Sequence, residues 1–93
     1  MREKEIEQQL VRAVRNRGGL ALKLVSPGWA GAPDRLILMA GGKALFVETK
    51  APGHTLRPLQ AKRKRQLEAL GFSVCCIDQP EQIGGVLDEI HTP

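Results

Sequence analysis

Residues 33–50, PDRLILMAGGKALFVETK, constrain the fold more than any other part of this chain. Two apolar runs flank a pair of glycines, a pattern typical of two antiparallel strands joined by a tight turn. Three charged residues, Asp34, Glu48 and Lys50, stand at the outer ends of these runs. Because side chains alternate along a strand, Glu48 and Lys50 share one face of the sheet. The stretch therefore predicts a hairpin with charged groups gathered at its open end.

The position of Asp34 relative to Glu48 depends on the length of the hairpin loop. A strict two-residue turn at positions 41–42 would place Asp34 opposite Thr49, on the wrong face for contact with Glu48. A loop of odd length, or a bulge near Pro33, would bring the two carboxylates onto the same face. We expect one of these two irregularities.

Helical and strand patterns alternate in the rest of the chain. Helical spacing of apolar residues is found in segments 2–17, 58–70 and 80–90. Strand-like apolar runs are found in segments 20–26 and 72–78. The predicted order is helix, three strands, helix, strand, helix. We expect an α/β fold with a mixed β-sheet flanked by helices, forming one domain over residues 1–93.

Composition restricts the partners and the compartment. Fourteen Lys and Arg residues against ten Asp and Glu residues give a net charge of +4, which favours a polyanionic partner. No apolar run approaches the roughly 20 residues of a membrane span, and the charged start MREKEIEQQ is unlike a secretory signal, so a cytoplasmic protein is expected. The adjacent Cys75 and Cys76 would form a strained disulfide, and we expect both to be reduced core residues.

The chemistry expected at the open end of the hairpin follows from its charges. Two converging carboxylates repel each other in a partly dry site unless a cation lies between them. Mg²⁺ prefers oxygen ligands, which Asp34 and Glu48 can supply together with the carbonyl of Thr49. Lys50 is placed to orient or deprotonate an attacking water, or to stabilise charge on phosphorus, as in a phosphodiester hydrolase. The alternative is that Glu48 and Lys50 form an ordinary ion pair at a solvated strand end.

The spacing of these residues resembles that of a known nuclease family. "PD", thirteen further residues and then "ETK" are similar to the PD-(D/E)XK motif. The segments SPGWAGAPDRLIL, FVETKAPG, RPLQ and LEALGFSV together resemble its VRR-NUC branch. The resemblance implies a restriction-endonuclease-like core and a nuclease dependent on Mg²⁺ or Mn²⁺. In it, Asp34 and Glu48 hold the metal, Lys50 serves the water, and Gln60 helps to arrange the site.

The same resemblance suggests a substrate and an assembly. Small stand-alone phage and bacterial members of this kind are similar to dimeric endonucleases that cleave branched DNA, including four-way Holliday junctions. We therefore expect a homodimer, of phage or bacterial origin, that acts on branched DNA with no small-molecule cofactor. Two alternatives remain open: a non-catalytic nucleic-acid-binding module of the same fold, and a nuclease that acts on flaps or nicked duplex.

A glutamate on the first helix is a further candidate metal ligand. Helical geometry places Glu3 and Glu7 on or beside the stripe formed by Ile6 and Leu10. Related nucleases use a first-helix glutamate near the metal, and EQQLV resembles their pattern, so Glu7 is favoured over Glu3. The alternative for both is a solvated flank of the helix.

Several residues outside the hairpin are candidate DNA contacts: Lys23, Trp29, Lys62, Arg63 and Lys64. Lys23 matches a family lysine, and Trp29 lies in a glycine-rich loop, where it can stack on an unpaired base or cap the core. The lysines of the second helix can contact phosphates or simply face solvent. Arg63 projects into the predicted apolar stripe of Leu59, Leu67 and Leu70, so we expect it either to extend over the core with its guanidinium in the active-site groove or to contact a partner subunit.

Overall fold

The computed structural model describes residues 1–91, in which three helices and four strands follow the predicted order. The elements are α1 (Glu3–Asn16), β1 (Leu20–Lys23), β2 (Arg35–Met39), β3 (Lys43–Thr49), α2 (Pro58–Ala69), β4 (Ser73–Ile77) and α3 (Gln82–His91). The strands form one sheet in the order β1-β2-β3-β4. The first three strands are antiparallel and β4 is parallel to β3, with α2 in the crossover between them. The predicted α/β fold with a mixed sheet is confirmed.

The hairpin loop has the odd length that the sequence required. Met39 pairs with Lys43, which leaves three residues, 40–42, in the turn. Gly41 and Gly42 both have positive φ angles, 82° and 74°, which residues with a side chain rarely adopt. The register places Arg35 opposite Val47, so Asp34, the residue before Arg35, comes opposite Glu48.

One side of the sheet, here called the covered face, carries α1 and α3. Along α1, the predicted stripe of Ile6, Leu10 and Val14 is completely buried. These side chains pack in one cluster with alternate residues of the strands and with α3: Ile37, Met39, Leu45, Val47, Ile77, Ile83 and Leu87. This cluster is the hydrophobic core, and it fixes the sheet against α1.

The other side of the sheet, here called the open face, is only partly covered by α2. Its exposed members include Leu20 and Leu22 on the edge strand β1, which are 58% and 44% exposed. The predicted apolar stripe of α2 is wrong, because Leu67 is buried whereas Leu59 and Leu70 are 41% and 74% exposed. The reason is that α2 packs chiefly against β4 alone, and contact with a single strand buries little of a helix.

Both cysteines lie on β4 as free thiols, as expected, but neither is fully buried: Cys75 packs against the core cluster, whereas Cys76 does not belong to it. Burial raises the pKa of Cys75 to about 11, which keeps this thiol protonated and unreactive. Within the described residues, no helix has the length and apolar character needed to cross a membrane.

Candidate active site

The carboxylates of Asp34 and Glu48 meet at the open end of the hairpin. The backbone amide of Asp34 donates to Glu48 Oε1 at 3.1 Å. In return, the amide and the hydroxyl of Thr49 both donate to Asp34 Oδ2 at 3.0 Å. This exchange between β3 and the residue preceding β2 fixes both acids relative to each other, and it depends on the three-residue loop that sets the register.

Glu48 is held in a setting that disfavours its charge. Its side chain is only 4% exposed, while Gln60 Nε2 donates to its Oε2 at 2.7 Å and Lys50 Nζ lies 3.7 Å from the same oxygen. Burial, reinforced by the charge of Asp34, raises the pKa of Glu48 to about 7 although Lys50 opposes the shift. The charge of Lys50 is therefore too small to offset the effects of burial and of Asp34 on the Glu48 carboxylate.

Gln60 is oriented by its own helix. It lies in the first turn of α2, where its Oε1 accepts a hydrogen bond from the backbone amide of Arg57 at 2.9 Å. This bond satisfies a free amide at the helix start and turns Nε2 towards Glu48. The sequence prediction that Gln60 belongs to the site agrees with this position.

The two candidate glutamates of α1 have different surroundings. Carboxylate oxygens of Glu3, Asp34 and Glu48 all lie within 4.8 Å of one another. Glu7 instead accepts a hydrogen bond at 2.8 Å from Arg35 Nε, and Arg35 Nη1 also donates to the Ala21 carbonyl at 3.1 Å. The preference for Glu7 over Glu3 is thus corrected. The alternation that puts Asp34 on the open face puts Arg35 on the covered face, where it captures Glu7.

This oxygen cluster fits a divalent cation. Three carboxylate oxygens close together, with one acid destabilised by burial and by its neighbour, form the kind of donor set that hard cations bind. Two acids of the cluster are held by hydrogen bonds, Asp34 from Thr49 and Glu48 from Gln60. Asp34, Glu48 and Glu3 are the residues able to hold the ion.

Similarity to known proteins agrees with this geometry. No protein-family model matches the chain. It is 47% identical over 91 residues to "Putative nuclease p44" of Acyrthosiphon pisum secondary endosymbiont phage 1, a match covering 98% of this chain and 97% of that protein. A solved structure named "VRR_NUC domain" superposes with a TM-score of 0.87 at 25% identity, covering 92% of this chain and 94% of the other. This chain belongs to the VRR-NUC family of nucleases.

A second solved structure supports the fold of this VRR-NUC protein. Named "VRR_NUC domain protein", it superposes with a TM-score of 0.76 at 16% identity and covers 97% of this chain and 88% of its own. The resemblance noted in the motif spacing is therefore confirmed at the level of family and fold.

Trp29 and Arg63 of this VRR-NUC protein are partners of each other. The Arg63 guanidinium lies 4.8 Å from the centre of the Trp29 ring, a cation–π contact. Arg63 Nε also donates to the Ala30 carbonyl at 2.8 Å, and Nη1 donates to Gln66 Oε1 at 2.9 Å. The pair fastens the loop before Asp34 onto α2. Arg63 is therefore held by the loop before β2 and by Gln66, and this contact was not among those expected from the sequence.

The three candidate DNA-contacting lysines lie on β1 and α2. Lys23 ends β1 with an exposed side chain, and Lys62 is exposed on α2. Lys64 forms an ion pair of 2.8 Å with Glu68, one turn further along the helix. Such exposed pairs contribute little to stability, which leaves Lys64 able to exchange its partner for a phosphate.

Sequence reasoning missed two side chains at this site. The first is the Thr49 hydroxyl, because the sequence prediction used only the carbonyl of this residue. A signal was available, since an inward-facing threonine beside two acids needs a hydrogen-bond acceptor for its hydroxyl. Arg35, directly after Asp34, could have been assigned to the covered face by strand alternation. The distance from Glu7 to Arg35 is set by the packing of α1 and has no sequence signal.

Proposed function

We propose that this VRR-NUC protein is a metal-dependent endonuclease that hydrolyses phosphodiester bonds in DNA. The observation that carries the proposal is the group of three converging carboxylates with Lys50 and Gln60 against Glu48. Asp34, Glu48 and Glu3 would hold Mg²⁺, for which Mn²⁺ can substitute, and the carbonyl of Thr49 would add a fourth oxygen.

Each side chain has a separate task in the proposed hydrolysis. When bound, the divalent ion supplies Lewis-acid activation of the water and the phosphate. Thr49 holds the Asp34 carboxylate in place through two hydrogen bonds. Gln60 holds the Glu48 carboxylate in place through one. The Lys50 ammonium, beside Glu48, orients the attacking water and counters the charge that develops on the phosphate oxygens.

We further propose that branched DNA, including four-way junctions, is the substrate. The net charge of +4 and two lysines of α2, Lys62 and Lys64, favour binding to phosphates without reading of sequence. A related candidate, an enzyme acting on flaps or nicked duplex, uses the same chemistry and differs only in the DNA it accepts. A non-catalytic binding module is disfavoured because the full set of Asp34, Glu48 and Lys50 is present.

A homodimer is part of this proposal. The open face leaves apolar side chains of β1 and of the adjoining loop in solvent, and Val25 is 73% exposed. A second copy that covered this surface would bury it and present two active sites to a symmetric junction. Sedimentation of the protein against a Leu22→Ser variant tests this, and a monomer in both samples would contradict it.

The central experiment compares a four-way junction, a flap and a linear duplex of equal length, with Mg²⁺ present or chelated. We expect nicking of the junction with Mg²⁺ alone, and loss of nicking but retention of binding in Glu48→Ala and Lys50→Ala. Lys43→Ala is the matched control, because Lys43 is an exposed lysine at the opposite end of the same strand. Full cleavage by either active-site variant, or cleavage in excess chelator, would refute the proposed chemistry.

A further inference from the structure

A cleft adjoins the carboxylate cluster, between the loop before β2 and the start of α2. It has a volume of about 270 Å³ and is lined by Ala30, Gly31, Arg57, Leu59 and Gln60. The Gln60 side chain that forms part of its wall donates to Glu48 Oε2 at 2.7 Å. Only the Gln60 side chain therefore separates a ligand in this cleft from Glu48, and so from the phosphate proposed to react there.

The walls of the cleft are fixed before any ligand arrives. A Cβ atom on Gly31 would lie 2.8 Å from Leu59 Cγ, so only glycine allows the loop to approach the helix this closely. Arg63 holds the same loop through its 2.8 Å hydrogen bond to the Ala30 carbonyl and its stacking on Trp29. These contacts join the two walls of the cleft.

The lining combines a cation with an exposed apolar surface. Arg57 is exposed at the mouth of the cleft and presents a guanidinium, which suits phosphate oxygens. Leu59 is 41% exposed, although it belongs to a helix with a buried side available. A positive group beside an apolar wall, next to a phosphodiesterase site, matches the two parts of a nucleotide.

We propose that this cleft binds the nucleotide adjoining the scissile phosphodiester, with its phosphate on Arg57 and its base or sugar against Leu59. The inference rests on the proposed function and deepens it. A nucleotide within an intact duplex is stacked and paired, and extracting it is unfavourable, whereas a nucleotide in a single-stranded flap is already unpaired. The cleft thus selects strands with an unpaired nucleotide next to the cut.

The test is steady-state cleavage of a junction or flap in which the nucleotide on either side of the cut is replaced by an abasic residue. We expect the abasic residue on one side to raise KM for the wild-type protein. Arg57→Ala should raise KM about tenfold, the effect of losing one hydrogen bond to a charged group, and Leu59→Ser should abolish the discrimination against the abasic residue. Arg65→Ala, which removes an exposed arginine from the same helix outside the cleft, should match the wild type.

The inference is overturned if Arg57→Ala has the same KM as Arg65→Ala. It is also overturned if KM stays unchanged whichever side of the cut carries the abasic residue. Hydrolysis of thymidine 5′-(p-nitrophenyl) phosphate with Mn²⁺ separates this failure from failure of the proposed function, because that small diester tests the chemistry without DNA structure. Wild-type protein that hydrolyses neither the diester nor DNA refutes both proposals. Protein that hydrolyses the diester while Arg57 and Leu59 have no effect on DNA cleavage refutes the cleft alone. Thermal unfolding of each variant confirms that it is folded.

Discussion

The two faces of the sheet are built from the same strands yet have opposite properties. On the covered face Ile37, Val47 and Ile77 are fully buried against α1 and α3. On the open face Leu22 is 44% exposed, and the sheet ends in the carboxylates of the active site. Adjacent positions in one strand can therefore serve stability and chemistry separately, because the pleat directs them to different surroundings.

The charges of the two faces differ in the same way. Beneath the covered face, Glu7 and Arg35 satisfy each other at 2.8 Å. At the edge of the open face, Glu48 and Asp34 repel, and the single ammonium of Lys50 opposes only part of that repulsion. The first charged group stabilises the fold, whereas the second contains an unfavourable interaction that a bound cation would relieve. The following predictions test this division.

The largest effect is expected from Glu48→Gln. This change keeps the shape of the side chain and removes one of the carboxylates proposed to hold the metal. We expect the rate of DNA cleavage to fall by roughly 10³-fold or more, with no loss of thermal stability at neutral pH. Cleavage rates and melting temperatures of the two proteins measure this, and a large drop in melting temperature would show that Glu48 supports the fold instead.

The second-largest effect is a difference in the free energy of unfolding between a variant of the covered face and a variant of the open face. Ile37→Ala should lower the free energy of unfolding by about 2–5 kcal/mol, because it opens a cavity in the core. Leu22→Ala, on the neighbouring strand β1 and on the open face, should lower it by less than about 1 kcal/mol at protein concentrations too low for the proposed dimer to form, because Leu22 is 44% exposed in the single chain. Urea unfolding of both variants provides the comparison. Equal losses would mean that the open face is covered in solution.

The pH dependence of stability without metal should come from Glu48. Because its pKa is raised from 4.5 to about 7 in the fold, the protonated side chain favours the native state. That contribution is fully present below pH 4.5 and is lost as the pH rises through about 7. We expect a loss on the order of 1–2 kcal/mol, allowing for solvent screening. Glu48→Gln should abolish this slope in urea titrations, and an unchanged slope would assign it to another group.

The smallest effects distinguish the two glutamates of α1. Glu7→Gln should lower the free energy of unfolding by about 1–2 kcal/mol, since it leaves Arg35 partly buried without its charge partner. Glu3→Gln should leave stability unchanged, because Glu3 is exposed, but weaken Mn²⁺ binding several-fold. Isothermal calorimetry with Mn²⁺ and urea unfolding measure both properties, and reversed effects would restore Glu7 as the metal ligand.

Several features followed from local sequence. Alternation along β3 placed Glu48 and Lys50 together. Contact between Asp34 and Glu48 called for either an odd hairpin loop or a bulge near Pro33, and the structure contains the odd loop. The helical stripe of α1 was also correct, because a helix packed across a whole sheet buries every residue on one side. In each case the periodicity of a single element fixed the outcome.

Contacts between distant elements were not predictable in this way. The burial expected along α2 failed, because that helix meets chiefly one strand, and Arg63 found Trp29 and Ala30 rather than the core. The choice between Glu3 and Glu7 depended on where α1 crosses the sheet. Glu3 and Glu7 are one helical turn apart on α1. Sequence patterns cannot place a helix on a sheet to within one turn, so they could not choose between the two glutamates.

The order of elements and the shared face of Glu48 and Lys50 followed from the sequence, because they depend on backbone periods of two and 3.6 residues. Tertiary structure alone decided that Glu3 completes the carboxylate cluster, that Glu7 pairs with Arg35, and that a cleft opens beside Gln60. The physical reason is that these features arise where separate elements pack, and packing geometry is set by the whole core.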